Sequence, residues 1–209
     1  MNLIGSKTIE TERLILKSSN MKEQKRLWEI TMNPEINKWY LTSAKSKANN
    51  KEHWTWENQE KFYKSKVSKA KQSDVFVWSV FLKPQYTISG KEEVIGQVSA
   101  GENGSDIKKR DVGWFIDKKY QRKGYAKEAA TAMIDYMFRK VEIEKISSSA
   151  VKENIPSCKI FENLGFKKID EIEKESPYTF YNGNLIFSQY ELTRKMYLAN
   201  VFNGEVTNK

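Results

Sequence analysis

The sequence predicts a mixed α/β (α+β) fold, one mainly antiparallel sheet crossed by helices. Three observations predict it. The run Val75-Phe76-Val77-Trp78-Ser79-Val80-Phe81-Leu82 is almost wholly apolar and rich in β-branched and aromatic residues, as a central strand is. Ala126, Ala129, Ala130, Met133, Ile134, Met137 and Val141 recur at helical spacing and form one apolar stripe. The two kinds of segment alternate, with no internal repeat and no linker long enough to divide the chain, so residues 1–209 read as a single domain.

The elements follow in order. Residues 11–17 form a first strand. Asn20 caps a helix with Leu27, Trp28 and Ile30 apolar, which Asn33-Pro34 stops near Met32. Residues 35–48 are a loop or short helix carrying Trp39, Tyr40 and Leu41. A Lys-rich helical insertion occupies about 43–72, with the helix from Asn49 to Gln72 and Trp56, Tyr63, Val67 and Ala70 on one face. After the central strand come strands at 93–101 and 111–117, with Asn103-Gly104 between them as a hairpin signal. The striped helix follows, then a strand at 145–151. A short helix over Ser157–Leu164 ends with Gly165 just beyond its C-terminus. The last strands run over 166–175 and 178–194, turning at Asn182-Gly183. The core is thus about 8–194, and the polar tail, 195–209, is expected to fray.

Composition narrows the chemistry. Lys and Arg number 36 against 27 Asp and Glu, a formal charge of +9 that favours anionic partners. The single Cys158 forbids an intrachain disulfide and fits a reducing compartment. With His53 as the single histidine, a Cys/His metal centre is excluded, and no metal is expected. The N-terminus lacks a secretory h-region, and no apolar run reaches the ~18 residues of a membrane helix. The expectation is a cytoplasmic protein with no membrane partner.

The informative segment is Asp111-Val-Gly-Trp-Phe-Ile-Asp117-Lys-Lys-Tyr-Gln121-Arg122-Lys123-Gly124-Tyr125-Ala126. A strand leads through a basic, glycine-bearing loop into a helix. The first helical turn leaves N–H groups unpaired at the positive end of the macrodipole, and a glycine there lets an anion approach them. Eight basic and two acidic residues lie between Lys108 and Lys127. A solvated basic loop at an ordinary strand–helix junction would look the same on this evidence alone. The segment is neither a Walker loop nor a dinucleotide fingerprint, whose glycine spacings are absent.

Gln121-Arg122-Lys123-Gly124-Tyr125-Ala126 resembles the Q/R-x-x-G-x-G/A signature of the GNAT superfamily of acyl-CoA-dependent N-acetyltransferases. Thr11-Glu-Arg-Leu-Ile-Leu16 resembles the T-E/D-R-L-x-L opening of the RimJ/RimL ribosomal-protein acetyltransferases. Asn154-Ile-Pro-Ser157, with Phe161-Glu-Asn-Leu-Gly165-Phe166, is similar to that group's N-x-x-S…L-G-F segment. The three occur in family order. The resemblance implies a GNAT-like sheet of about seven strands, splayed after the fourth, with about four flanking helices. It implies acetyl-CoA as cofactor, its pantetheine arm along the backbone of Phe115, Ile116 and Asp117, and its pyrophosphate on the amides of Gln121, Arg122, Lys123, Gly124, Tyr125 and Ala126. Asn154 would contact the pantetheine and Ser157 would sit near the thioester sulfur as the catalytic hydrogen-bond donor; it could equally just start its helix.

The expected reaction is direct attack of a primary amine on the thioester, without a covalent enzyme intermediate. Cys158 is assigned a small apolar role. An α-amine, with a pKa near ~8, sheds its proton more readily than a lysine at ~10.4, which favours a protein N-terminal amine as acceptor. A small-molecule amine, an antibiotic or metabolite, is the alternative. A catalytically silent acyl-CoA-binding module and a nucleic-acid binder are others. The base stays open among Glu102, Asp111, the acidic residues of 170–175, and water. Trp39, Tyr40 and Tyr178 are acceptor-site candidates, with core packing an equal reading. The Lys-rich helix could dock on ribosomal RNA or be a solvated face. No specific DNA binding is expected, and the chain would be a monomer or homodimer.

Overall fold

The computed structural model describes residues 1–39, 55–177 and 183–202. Among these residues eight strands form one sheet: β1 (Ile9–Glu10), β2 (Leu14–Lys17), β3 (Phe76–Leu82), β4 (Glu93–Glu102), β5 (Lys109–Ile116), β6 (Lys145–Val151), β7 (Lys167–Glu175) and β8 (Asn184–Thr193). Their order is β1-β2-β3-β4-β5-β6-β8-β7. Every neighbouring pair is antiparallel except β5–β6. The six helices are α1 (Met21–Met32), α2 (Pro34–Asn37), α3 (Trp56–Lys69), α4 (Tyr125–Tyr136), α5 (Ile155–Asn163) and α6 (Arg194–Phe202).

Local chemistry accounts for the boundaries. Asn20 closes a capping box on α1: its side chain accepts from Glu23 N at 3.1 Å, and Glu23 accepts from Asn20 N at 2.7 Å. Thr55 caps α3. A π-helical turn, Met137–Val141, extends α4 and carries its apolar stripe to Val141. Gly165, at φ 79°, ends α5 in a Schellman motif, with Phe166 N donating to Phe161 O and Gly165 N to Glu162 O.

Alternation along β5 separates two cores. Val112 and Ile116 join the main cluster with Trp78, Met133, Ile134, Phe138, Phe161 and Tyr190, beneath α4 and α5. Phe115 points the other way and packs with Leu27, Ile30 and Ile36 of α1 and α2. α3 lies on α1 through Trp28, Trp56 and Tyr63, whose ring centroids are 5.8 and 5.3 Å apart.

Several expectations shift. The additional strand, β1, is two residues long, and residues 11–13 make the tight turn into β2. The β4–β5 connection is 103–108, shorter than the 102–110 expected, and Asn103 Nδ2 donates to Ser147 O at 2.6 Å. α5 begins at Ile155, placing Ser157 inside its first turn. Residues 195–202 are not a fraying tail but belong to α6. There Tyr197 is fully buried, stacks on Phe138 at 5.1 Å and donates its hydroxyl to Asp135 at 2.8 Å. Tyr40, His53, Tyr178 and residues 203–209 lie outside the described residues, as do 40–54 of the insertion. Among the described residues no helix is long and apolar enough to cross a membrane.

Replacing Tyr197 with Ala is expected to cost about 3–4 kcal/mol of unfolding free energy, through the lost ring and its cavity. Urea denaturation measures this; a loss under about 1 kcal/mol would mean that α6 is not part of the cooperative core.

Candidate active site

The sheet opens where β5 meets β6. Their parallel pairing is confined to Lys109–Lys145 and Arg110–Ile146, after which β6 follows β8 alone. On its other side β5 stays paired with β4 up to Ile116. Asp117 N donates to Ile95 O at 2.7 Å, so the two-residue alternation turns the main chains of Val112, Trp114 and Ile116 into the fork. Two of these groups are capped by side chains. Ser148 Oγ donates to Val112 O at 3.0 Å, and Gln121 Nε2 to Ile116 O at 3.0 Å. Among the described residues, the amide and carbonyl of Trp114 and the amide of Ile116 have no strand partner on this side.

Beyond β5 a 3-10 turn, Lys118–Tyr120, leads to the cradle. Gln121, Arg122, Lys123 and Gly124 are all exposed. Arg122 and Gly124 both hold left-handed backbone, φ 61° and 82°. Gly124 caps α4 without a side chain, and the single atom within 4 Å of a Cβ placed there is Arg13 Nη2, at 3.2 Å. The notch beside the helix N-terminus is therefore open on its ligand side. Of the eight basic residues between 108 and 127, Lys108, Lys109, Lys118 and Lys119 pair with Glu144, Asp106, Glu35 and Glu93. Arg110 is buried against Phe76. Arg122, Lys123 and Lys127, at the cradle itself, have no ion-pair partner among the described residues.

The far wall is α5. Asn154 stands at its N-cap but its side chain makes no capping bond, and Ser157 sits half-buried in the first turn. The Ile155 and Ser157 amides, with no backbone partner among the described residues, lie with the Ser157 hydroxyl at the positive end of the α5 dipole. The fork is braced on both faces. Trp114 of β5 packs on Phe161 of α5 at 4.7 Å, and Phe161 stacks on Tyr190 of β8 at 4.7 Å. On the opposite face Trp39, just after α2, packs against Val151, Leu185 and Phe187 of β6 and β8.

The titratable groups differ sharply. Ser148 also reaches Asp111 Oδ1. Asp111 is exposed on β5, yet the protein packed around it pushes its pKa up from the ordinary aspartate value, with the Ser148 hydroxyl and the Val112 amide opposing the shift. Glu171 is the reverse: hydrogen bonds from Lys168 and Lys152 pull it down to about 2. Tyr190 is raised by burial beside Cys158, whose thiol lies under α5 at 3.6 Å from Val151 O.

Residues 13–167 match the acetyltransferase (GNAT) domain. The chain belongs to the GNAT acetyltransferase family. YnaD of Bacillus subtilis strain 168, an uncharacterized N-acetyltransferase, is 25% identical over 182 residues, covering 87% of this chain and 93% of YnaD. Among solved structures, the ribosomal-protein-S5-alanine acetyltransferase of Vibrio fischeri superposes with TM-score 0.70 at 20% identity, covering 92% and 99% of the two chains. The spermidine/spermine N-acetyltransferase SpeG of Vibrio cholerae gives 0.67 at 15% identity, covering 91% and 99%. This chain is therefore a GNAT-type N-acyltransferase, of a family that uses acetyl-CoA. The open fork follows its fourth long strand, β5.

Ile116 lies at the fork, Gln121, Arg122, Lys123, Gly124, Tyr125 and Ala126 make up the loop and the start of α4 beyond it, and Asn154 and Ser157 lie at the start of α5. Phe115 and Asp117 turn their backbone toward β4 instead, and the Asp117 side chain pairs with Arg26 of α1. Trp114 takes their place at the fork, because the pairing of β5 with β4 decides which parity turns toward the opening. Tyr125 is buried under Arg13 and presents no side chain to the cleft. Ser148 carries no sequence signature, and Arg13 belongs to the Thr11-Glu-Arg-Leu motif, which gave it no role at the cradle. Among the described residues no group of three His, Cys, Asp or Glu could hold a metal.

The raised pKa of Asp111 has a thermodynamic consequence. Its charged form is disfavoured by folding, so the penalty is absent below the unfolded value near ~3.9 and develops as pH rises through the folded value. Asp111→Asn is expected to raise Tm relative to wild type more at pH 7 than at pH 3.5, by thermal denaturation. A difference independent of pH would show that Asp111 ionises as freely in the fold as in the unfolded chain.

Proposed function

We propose that this chain transfers an acetyl group from acetyl-CoA to a primary amine by direct attack, and that the acceptor is a protein N-terminal amine. The observation that carries the reading is the fork: a strand whose inner edge is unpaired among the described residues leads through a short turn to a glycine-capped helix N-terminus, flanked by three cations with no ion-pair partner among those residues. That donor set suits a pantetheine amide chain followed by a diphosphate. When bound, acetyl-CoA supplies an activated acyl group on a thiolate leaving group.

The residues divide the work. The first-turn amides of α4 and the loop from Gln121 to Ala126 hold the diphosphate, with Arg122, Lys123 and Lys127 adding charge. Trp114 and the Ile116 amide hold the pantetheine, and Asn154 faces them with its amide uncommitted. An inward main-chain N–H of β5 steadies negative charge on the acyl oxygen. Ser157, at the positive end of α5, donates to the departing sulfur. Asp111 serves as base: its raised pKa brings it toward that of the ammonium it must deprotonate, and Ser148 fixes its position. Glu171, held near 2, is a poor base, so the acidic run of β7 is a solvated, lysine-paired face.

The acceptor reading rests on shape and charge. Beside Asp111, a Cβ on Gly101 would meet nothing within 4 Å, and one on Gly113 would meet Ser99 Oγ alone, at 3.7 Å. This low strip along β4 and β5 can take an extended backbone. The net charge of +9 disfavours a polycationic acceptor. A small amine is the second reading, and acceptance of free amines without peptide turnover would select it.

Gly124→Glu is expected to abolish coenzyme A binding in calorimetric titration while leaving the melting transition in place; retained affinity would overturn the cradle. With acetyl-CoA and a panel of peptides bearing free N-termini, Asp111→Asn and Ser157→Ala are each expected to lower kcat about a hundredfold with little change in KM for acetyl-CoA. Wild-type kcat in either variant removes that residue from the chemistry.

A further inference from the structure

The Thr11-Glu12-Arg13 turn lies outside the fork, yet it is bonded to the cradle. Thr11 Oγ1 and Arg13 N both donate to Glu128 Oε1, at 2.6 and 2.9 Å. Arg13 Nε donates to Glu128 Oε2 at 2.6 Å. Arg13 Nη1 donates to Lys123 O at 2.9 Å, and the guanidinium lies 4.6 Å above the Tyr125 ring. Its Nη2 sits next to Gly124. One side chain therefore touches three consecutive residues of the cradle and the acid in the first turn of the following helix.

The peptide plane gives this contact its meaning. In a trans peptide the C=O and the next N–H point in opposite directions. Holding the Lys123 carbonyl toward Arg13 aims the Gly124 amide away from it, to the ligand side. A cation at a helix N-terminus is normally unfavourable, because it meets the positive end of the dipole. Here Glu128, with 13% of its side chain exposed, offsets the charge and fixes its place. The planar fork of arginine reaches Glu128 and Lys123 from separate nitrogens held in fixed geometry, whereas a lysine has one nitrogen on a flexible stem.

We propose that Arg13 is a positioning residue for the donor's diphosphate: it locks the Lys123–Gly124 peptide so that the Gly124 amide is aimed at the anion before the ligand arrives, with Thr11 and Glu128 holding Arg13 in place. The inference rests on the acyl-CoA reading of the cleft and adds the turn before β2 to the binding machinery.

The test compares coenzyme A with pantetheine, which lacks the diphosphate, by NMR and calorimetric titration. Wild type should bind coenzyme A far more tightly; equal affinities would overturn the cradle reading itself, whatever Arg13 does. Arg13→Met should weaken coenzyme A about tenfold, the loss expected for one charge-assisted hydrogen bond, and leave pantetheine unchanged. Arg13→Lys should recover only a minor part of that loss. Thr11→Val, which loosens Glu128 without touching the loop, should weaken coenzyme A in the same direction and less. Unchanged coenzyme A affinity in Arg13→Met overturns the proposal. So does an equal loss for both ligands, which marks a general change of fold, and so does full recovery with lysine, which would leave charge alone as the cause.

Discussion

An unpaired strand is expensive, and the cleft is built around that cost. Each main-chain N–H and C=O removed from water needs a partner. Along β5 the β6 side offers none beyond Ile146. The fold supplies substitutes at the two ends of the opening: the Ser148 hydroxyl at its root and the Gln121 amide at its mouth. Ser148 has one proton for two acceptors, the Val112 carbonyl and Asp111. The groups between those ends are the ones an extended amide chain can satisfy.

An opening in a sheet must also be kept from closing. Two tryptophans on opposite faces do this. Trp114 anchors β5 to α5 through Phe161, and Trp39 carries the α1–α2 layer across to β6 and β8. Both sides of the fork are thereby tied to aromatic packing that a shift in strand register would break. The floor of the cleft is consequently a property of both cores together, and α5, with Asn154 and Ser157, moves with the main one through Phe161.

Much of this was legible in residue order. The central strand, the striped helix and the glycine junction each followed from period or backbone chemistry, and the motifs pointed to the start of α4 at Gly124 and the start of α5 at Asn154 and Ser157. What escaped depends on partners distant in sequence. Arg122 takes left-handed backbone although nothing about arginine announces it. Phe115 was assigned to the cleft where Trp114 belongs, because which face of a strand looks inward depends on a register with β4 that sequence does not display. Tyr197 reads as part of a polar tail until Phe138 and Asp135 are brought to it. The Arg13 turn was recognised as a pattern, but its contact is with residues about 110 positions away.

The two borders of the sheet are made differently. β1 ends it after two residues. β7 is long, but all nine of its residues are exposed, most are charged, and the ladder is interrupted between Lys168 and Asp170, leaving Ile169 bulged out. Neither offers another chain a flat, apolar template for strand addition. A protein that must keep one internal seam of its sheet unzipped has thus been given borders that resist ribbon-like self-assembly, so that its reserve of free backbone hydrogen bonding is kept for the inside.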